Sequence, residues 1–345
     1  MTIETPRLKI SSIQLLRAIA ALIVVIFHAA ITVGGTTAAW GQMGVDIFFV
    51  ISGFIMVHTS LDLPRGMASA RSFAWNRLRR IVPMYWLVTL CMVGLLVLIP
   101  WAFGSNKLDV GHTLASFLFL PASNPLTGSH HPVVFVGWSL NMEMWFYLLF
   151  AIALFLPVPT RILAISVTLL LCVIAGFTFE GGIAFETYTS VMMLEFLAGC
   201  LIGWAVSRWR LASQGWGAAA FALGAVGAVV VSGLDVNELT RVVFWGIPGA
   251  LLVAGVVLWE RSRTLVVPRF GVELGNSSYS LYLIHPLVLA GLGKVLPHGL
   301  MAMALSVLIC VVVGHLLYLA IERPLDHLLR RLGNPEQKQS LPLQS

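Results

Sequence analysis

Ten stretches of mainly apolar residues recur along the chain, and they constrain its fold more than any other feature. A helix needs about 20 such residues to cross the hydrocarbon core of a membrane. Only 10% of the 345 residues are charged, against about 25% in a typical soluble domain. Residues 1–345 are therefore predicted to form one all-α, polytopic integral membrane domain with about ten transmembrane helices. The predicted helices are at residues 13–33, 43–60, 81–101, 137–156, 161–178, 188–207, 215–233, 241–259, 276–296 and 301–321.

Lysine and arginine are distributed very unevenly between the two ends of these helices. Eighteen of the 21 fall on the side that also carries both termini. Only Lys107, Arg241 and Lys294 fall on the opposite side. Because cytoplasmic loops carry the excess of basic residues, both termini are predicted to be cytoplasmic. The short cytoplasmic tails are expected at about 1–11 and 325–345.

The first predicted helix contains both an arginine and a histidine, in "RAIAALIVVIFH" at residues 17–28. Arg17 and His28 are separated by three helical turns plus about 20°, so they lie on one face of the helix. The rise between them is about 16 Å. Ionisable side chains within a span are costly and indicate a functional site by default. The alternative is that Arg17 reaches to the interface and His28 bonds a neighbouring helix.

Other predicted helices also carry polar residues within their apolar sequence. They are Asp46 in "GVDIFFVISGF", Ser139 and Glu143 in "GWSLNMEMWFY", and Tyr282 and His285 in "NSSYSLYLIHPL". We expect His28, Asp46, Glu143 and Glu195, the last in "VMMLEFLAGC", to face one cavity in the outer half of the membrane. A carboxylate beside a histidine raises the basicity of the imidazole, and either Asp46 or Glu143 can be that partner. Separate interhelical hydrogen bonds, or a proton or ion path, are the alternative interpretation.

Two segments between the predicted helices carry further signals. The cytoplasmic loop 61–80 holds five arginines. Arg77 and Arg80, three residues apart, project from one side of a helix start. Such a pair can grip phosphate groups with bidentate geometry, or it can contact anionic lipids. The external segment 102–136 is long for a loop, and we expect it to cover part of the outer face.

No sequence pattern indicates a metal site, a disulfide framework or nucleic-acid binding. His130 and His131 lack companions at the spacing of metal ligands. The four cysteines all lie in apolar runs and are interpreted as packing residues. These cysteines are Cys91, Cys172, Cys200 and Cys310.

These motifs resemble those of the membrane-bound acyltransferase-3 family. The family pattern of a basic residue, ten residues and a histidine is matched by Arg17 and His28, and its R-x-x-R pair by Arg77 and Arg80. The blocks "GVDIFFVISGF", "GWSLNMEMWFY", "SLYLIHP" and "IERP" follow in the family's order and cover nearly the whole chain. The fourth-helix block is most similar to that of bacterial exopolysaccharide O-acetyltransferases.

The resemblance implies an O-acyltransferase of the bacterial inner membrane. Such an enzyme moves an acetyl or other short acyl group from acyl-CoA, commonly acetyl-CoA, to a hydroxyl of a cell-surface polysaccharide or its lipid-linked precursor. The donor's phosphates would bind Arg77, Arg80 and Arg17 from the cytoplasm. The pantetheine arm, about 15–20 Å long, matches the distance from Arg17 to His28. Membrane lipids and polysaccharide-assembly proteins are the expected partners, and no metal is expected.

The resemblance also implies roles for the polar residues of the spans. His28 is the predicted general base, oriented by Glu143 or Asp46, with an acyl-histidine intermediate as the alternative. Ser139, Tyr282 and His285 are candidates for contacts with the oxyanion or the acceptor. A transporter or flippase is the main competing interpretation, and a structural subunit of an export complex is another. A transporter predicts an internal repeat, and the sequence contains no convincing one.

Overall fold

The chain folds almost entirely into helices in the computed structural model. The model describes residues 10–102, 107–234, 236–262 and 265–333. Within these ranges there is no β-strand. Most of the predicted tail 1–11 and the latter part of the tail 325–345 lie outside the described residues.

The α-helices are numbered here in chain order. They are α1 (Ser11–Ala29), α2 (Met43–Ser60), α3 (Met67–Leu98), α4 (Val110–Phe117), α5 (Trp138–Ala153), α6 (Val158–Thr178), α7 (Ile183–Tyr188), α8 (Met193–Arg208), α9 (Gln214–Val231), α10 (Glu238–Arg241), α11 (Ile247–Arg261), α12 (Arg269–Asn276), α13 (Ser278–Leu292), α14 (Leu300–Leu317) and α15 (Arg323–Gly333). Short π-helical segments continue α1, α10 and α14, at Ala30–Gly34, Val242–Gly246 and Tyr318–Glu322. Short 3-10 helices are at Ala39–Gln42, Pro100–Ala102 and Phe135–Gly137.

Nine helical stretches of the described chain are long and apolar enough to cross a membrane. This confirms the prediction of an all-α, polytopic membrane protein. The predicted span at 276–296 is shorter than expected, because its helix α13 has only 15 residues. Fifteen residues rise about 22 Å, less than the hydrocarbon thickness of about 30 Å. The cytoplasmic placement of the termini stays a prediction.

Helix α3 begins at Met67, far earlier than the predicted start at residue 81. The predicted cytoplasmic loop 61–80 is therefore helical over most of its length. Gly66 precedes the helix with φ of 117°, a conformation that glycine tolerates and other residues rarely adopt. As a result, Arg77 and Arg80 lie on a continuous helix, which restricts where their side chains can reach.

Helix α1 packs against α2, α11, α12, α13 and α14. Helices α2 and α8 approach each other closely, because Gly53 faces the backbone of Phe196 and Gly199 faces the backbone of Val50. Small residues allow such close packing between membrane helices. Helices α3 and α5 pack together, and α3 also contacts α13. Helices α1, α2, α3, α5 and α13 together line a narrow central cavity.

The described part of the segment 102–136, residues 107–136, folds against the side of α3 through helix α4. The indole Nε1 of Trp86 donates to the carbonyl of Phe117 at 2.8 Å. The hydroxyl of Ser116 accepts from the amide of Val133 at 3.0 Å. These bonds fix the end of the segment just before α5, where it lines one of the central cavities.

Candidate active site

Three adjoining cavities lie between the central helices. The first, which we call the arginine chamber, has a volume of about 570 Å³. Its charged lining residues are Arg17, Arg77, Arg79, Arg80, Glu322, Arg323, Asp326 and Arg330. The second, the neck, has a volume of only about 90 Å³. Its polar lining residues are Arg17, Ser52, Arg77, Arg80, Ser139, Glu143, Tyr147, Ser278, Tyr279 and Tyr282.

The third cavity, which we call the histidine chamber, has a volume of about 740 Å³. It is lined by His28 and by residues of the 102–136 segment, α5, α7 and α10. These include His130, His131, Phe135, Trp138, Asn141, Glu186, Glu238 and Arg241. The neck shares Arg17, Arg77 and Arg80 with the arginine chamber, and it shares Val45 and Tyr282 with the histidine chamber. The narrow neck therefore lies between two wide chambers.

Three guanidinium groups meet where the arginine chamber enters the neck. Arg17 comes from α1, and Arg77 and Arg80 come from α3, one helical turn apart. Arg17 is only 7% exposed. None of the three forms an ion pair with a carboxylate of the described residues. Because a buried charge is costly unless it is compensated, this cluster favours a bound anion.

Glu143 lies in the neck, where a small hydrogen-bond network holds it. Its Oε1 accepts from the hydroxyl of Ser52 at 2.9 Å and from the hydroxyl of Tyr147 at 2.5 Å. Glu143 and Tyr147 are one turn apart on α5, and Ser52 comes from α2. The network places one carboxylate in the same cavity as the three arginines. Glu143 thus belongs to the neck and not to the histidine chamber.

Ser139 and Tyr282 lie beside the boundary between the neck and the histidine chamber. Their hydroxyl oxygens are 2.8 Å apart, and both can donate to the carbonyl of Val136, at 3.0 and 3.1 Å. The hydrogen bond between Ser139 and Tyr282 joins α5 to α13. Tyr282 also lines the histidine chamber, so its phenol lies between Glu143 and the histidines.

His28 is paired with His285, and the surrounding acceptors assign the tautomers of both rings. The Nδ1 of His28 is 2.9 Å from the carbonyl of Val24, which can only accept, so this nitrogen carries the proton in the neutral ring. The Nε2 of His285 lies 3.1 Å from the same Nδ1 and is therefore an acceptor. The Nδ1 of His285 lies 3.3 Å from the carbonyl of Leu281 and donates to it.

This arrangement leaves the Nε2 of His28 as the basic nitrogen. It makes no hydrogen bond to any residue in the described ranges, and the ring lines the histidine chamber. An imidazole with a lone pair facing a cavity can take a proton from a hydroxyl or attack a carbonyl carbon. The π-helical turn Ala30–Gly34 begins just beyond it, and such turns are frequent at functional sites.

Asp46 forms an ion pair with Arg241 and makes no hydrogen bond to His28. It is fully buried, and its two oxygens accept from Nε and Nη2 of Arg241, both at 2.9 Å. Arg241 also stacks on the ring of Trp245 at 4.8 Å and donates to Gln42. The two hydrogen bonds from Arg241 to Asp46 join the start of α2 to α10. Arg241 also lines the histidine chamber. The Asp46–Arg241 pair has the geometry of a structural ion pair.

The structure therefore corrects the predicted orientation of His28 by a carboxylate. In the described part of the chain, neither Glu143 nor Asp46 hydrogen-bonds to it. The reason is that each carboxylate is held by other side chains, Glu143 by Ser52 and Tyr147 and Asp46 by Arg241. The group beside His28 is His285, which the sequence placed only among the possible oxyanion or acceptor contacts. The other predicted residues, Arg17, Arg77, Arg80, Ser139 and Tyr282, all line the neck.

Three functional candidates were absent from the sequence prediction. Ser52 fixes Glu143, and Arg241 fixes Asp46. Asn141 lines the histidine chamber with a buried Oδ1 that lacks a hydrogen-bond partner in the described chain. Arg241 carried a usable signal, since it is one of only three cations predicted on the outer side. Ser52 and Asn141 lie within the family blocks "GVDIFFVISGF" and "GWSLNMEMWFY", but small polar residues are common in membrane helices and did not stand out there.

Two imidazoles of the 102–136 segment, those of His130 and His131, line the histidine chamber. His130 Nε2 lies 3.3 Å from the carboxylate of Glu186 at the start of α7. Burial lowers the pKa of His131, and the neighbouring His130 lowers it further. His131 is therefore a neutral hydrogen-bonding group at neutral pH. The histidine chamber is lined by polar side chains, and its charged residues, Glu186, Glu238 and Arg241, include both signs of charge.

Comparison with known proteins identifies the family. The sequence model of the acyltransferase-3 family, described as "Acyltransferase domain", matches residues 10–320. The chain belongs to this family. The match confirms the resemblance seen in the motifs, and it makes the protein a multi-pass membrane acyltransferase. Among the competing interpretations, a transporter and a structural subunit are thereby disfavoured.

Two relatives of this acyltransferase illustrate the range of the family. The chain is 40% identical over 311 residues to the "Exopolysaccharide production protein ExoZ" of Rhizobium meliloti (strain 1021), covering 87% of this chain and 94% of the relative. It is 26% identical over 332 residues to the "Acyltransferase MdmB" of Streptomyces mycarofaciens, covering 84% and 82%. No solved structure matches the chain.

Proposed function

We propose that this acyltransferase moves an acetyl or other short acyl group from acyl-CoA to a hydroxyl of a cell-surface polysaccharide or its lipid-linked precursor. Its location is the bacterial cytoplasmic membrane. One observation carries the proposal: three arginines that form no ion pair in the described residues line a cavity that adjoins, through a narrow neck, the chamber containing His28. The relative named for exopolysaccharide production supports a polysaccharide acceptor.

The donor binds with its nucleotide in the arginine chamber. Its pyrophosphate lies at the neck entrance, where Arg17, Arg77 and Arg80 compensate the negative charge. The pantetheine arm, a thin chain about 15–20 Å long, passes through the neck. The rise from Arg17 to His28 along α1 is about 16 Å. The thioester therefore reaches the level of the histidines while the phosphates stay among the arginines.

The acceptor hydroxyl enters the histidine chamber and reacts at His28. Nε2 takes the proton of the hydroxyl as its oxygen attacks the thioester carbonyl. The carbon–sulfur bond then breaks, and the proton on Nε2 passes to the departing thiolate. His285 accepts a hydrogen bond from Nδ1–H of His28 throughout and stabilises the imidazolium. Ser139 and Tyr282 lie beside this route and can donate to the oxyanion.

An acyl-histidine intermediate uses the same nitrogen. In that route Nε2 attacks the thioester carbon, the carbon–sulfur bond breaks and the thiolate leaves. The acceptor hydroxyl then attacks the acyl carbon, the bond to Nε2 breaks, and the hydroxyl proton passes to the thiolate, which restores the neutral histidine. The two routes differ in whether acyl-enzyme accumulates without acceptor. Rapid denaturation near neutral pH after mixing with labelled acetyl-CoA, followed at once by measurement of label on the protein, separates them. Only the second route leaves label on the protein, and an acyl-imidazole does not survive an acid quench.

The overall proposal is tested with the full chain purified in lipid nanodiscs. We expect label to pass from acetyl-CoA to the surface polysaccharide, or its lipid-linked precursor, prepared from a deletion strain. We also expect that strain's surface glycan to contain less O-acetyl than the wild type's. Unchanged glycan acetylation in the deletion strain, together with no transfer by the purified protein, would falsify the proposal.

A further inference from the structure

Helix α15 forms the second wall of the arginine chamber, opposite the arginines of α1 and α3. Arg323, His327 and Arg330 follow at spacings of four and three, so they lie on one helical face, and all three line the chamber. Asp326 fastens α15 to α3, because its carboxylate accepts from Arg79 at 2.9 Å. Arg330 donates to the same carboxylate at 2.8 Å.

The chamber has a large excess of positive charge. Six arginines line it together with only two carboxylates, those of Glu322 and Asp326. Glu322 accepts a hydrogen bond from Ser280, and Asp326 is shared between Arg79 and Arg330. The formal excess is therefore four positive charges. Coenzyme A carries about four negative charges near neutral pH, two on the pyrophosphate and up to two on the 3′-phosphate.

The two groups of arginines are separated in a way that fits these two groups of phosphates. Arg17, Arg77 and Arg80 lie at the narrow end, where the pyrophosphate joins the pantetheine arm. Arg323 lines the chamber but not the neck, and it forms no ion pair in the described residues. With the pyrophosphate at the neck, the ribose and its 3′-phosphate would occupy the wider part of the chamber, which Arg323, His327 and Arg330 of α15 line.

We propose that Arg323 on α15 binds the 3′-phosphate of the donor and makes the site specific for coenzyme A over dephospho-coenzyme A. This inference rests on the proposed function, since it assumes that the nucleotide occupies the arginine chamber. It assigns a binding role to α15 and leaves the chemistry at His28 unchanged.

The experiment measures equilibrium binding of coenzyme A and of dephospho-coenzyme A to the purified full chain. We expect the wild type to bind coenzyme A about tenfold more tightly, the value of one charge-assisted phosphate contact. Arg323→Gln should lose this preference by weakening coenzyme A binding about tenfold, with dephospho-coenzyme A unaffected. Arg331→Gln is the matched control, because Arg331 is an exposed arginine of the same helix that does not line the chamber.

Equal binding of the two compounds by the wild type overturns the inference. So does an Arg323→Gln variant that still prefers coenzyme A, or one that weakens both compounds equally. A preference that disappears in Arg323→Gln, combined with no acyl transfer by the wild type, supports the binding site and overturns the proposed function. The two proposals therefore fail in different ways.

Discussion

The arginine chamber and the histidine chamber differ in how their charged groups are neutralised. At the neck end of the arginine chamber, Arg17, Arg77 and Arg80 have no carboxylate partner in the described chain. At the histidine chamber, Arg241 is held by both oxygens of Asp46. An arginine that is paired with a carboxylate is held within the fold, whereas arginines that form no ion pair are available to an anionic ligand.

This difference also separates binding from chemistry. Removing a group from the arginine chamber should alter the affinity for the donor, because that is where its phosphates bind. Removing His28 should alter turnover and leave donor binding intact. Breaking the Asp46–Arg241 pair should alter stability.

His28→Ala should lower kcat for acyl transfer about 10³-fold, within the range expected for loss of a general base. Binding of coenzyme A should be unchanged, because the arginine chamber is intact. Kinetics and equilibrium binding on the same preparation test both statements. His298→Ala, in an exposed loop, is the control and should keep the wild-type kcat. A His28→Ala enzyme with normal turnover removes the histidine from the mechanism.

Asp46→Asn should destabilise the folded protein by about 3 kcal/mol, because it leaves the Arg241 guanidinium without its buried counter-charge. The free energy of unfolding in detergent or nanodiscs measures this. The double variant Asp46→Asn/Arg241→Gln should regain part of the loss, because no unpaired charge is left. If stability is unchanged and kcat of the folded enzyme falls as in His28→Ala, then Asp46 serves His28 after all.

Arg77→Ala/Arg80→Ala should raise KM for acetyl-CoA about 100-fold, because two charge-assisted phosphate contacts are worth about tenfold each. At saturating donor, kcat should change little. The matched control is Arg65→Ala/Arg71→Ala, which removes two exposed arginines that precede or begin α3 and do not line the chamber. An equal rise in KM in both double variants indicates general attraction to the membrane surface and contradicts a specific phosphate site.

Ser139→Ala should lower kcat about fivefold, the value of one hydrogen bond of about 1 kcal/mol. The change frees the Tyr282 hydroxyl from its partner at the neck boundary. Tyr282→Phe should have a similar effect, and the double variant should cost less than the sum, because the two hydroxyls act as one pair. Additive effects indicate that the residues act independently.

Most of the helices could be predicted, because a run of apolar residues directly reports a membrane span. The start of α3 could not. Residues 67–80 contain several arginines, so the apolar run begins only near residue 81. The helix itself begins at Met67. The length of α13 was also overestimated, since apolar residues continue beyond Leu292, where the helix ends. Hydropathy reports transfer to lipid, and it does not report backbone conformation outside the apolar layer.

For the candidate site, too, some features could be predicted from the sequence and others could not. The shared face of Arg17 and His28, and that of Arg77 and Arg80, followed from the sequence, because helical periodicity relates residues within one helix. The partners of these residues did not follow. His28 meets His285 across 257 positions of the chain, and Asp46 meets Arg241 across 195. Which helical faces meet depends on packing between distant segments, and only the tertiary structure decides that.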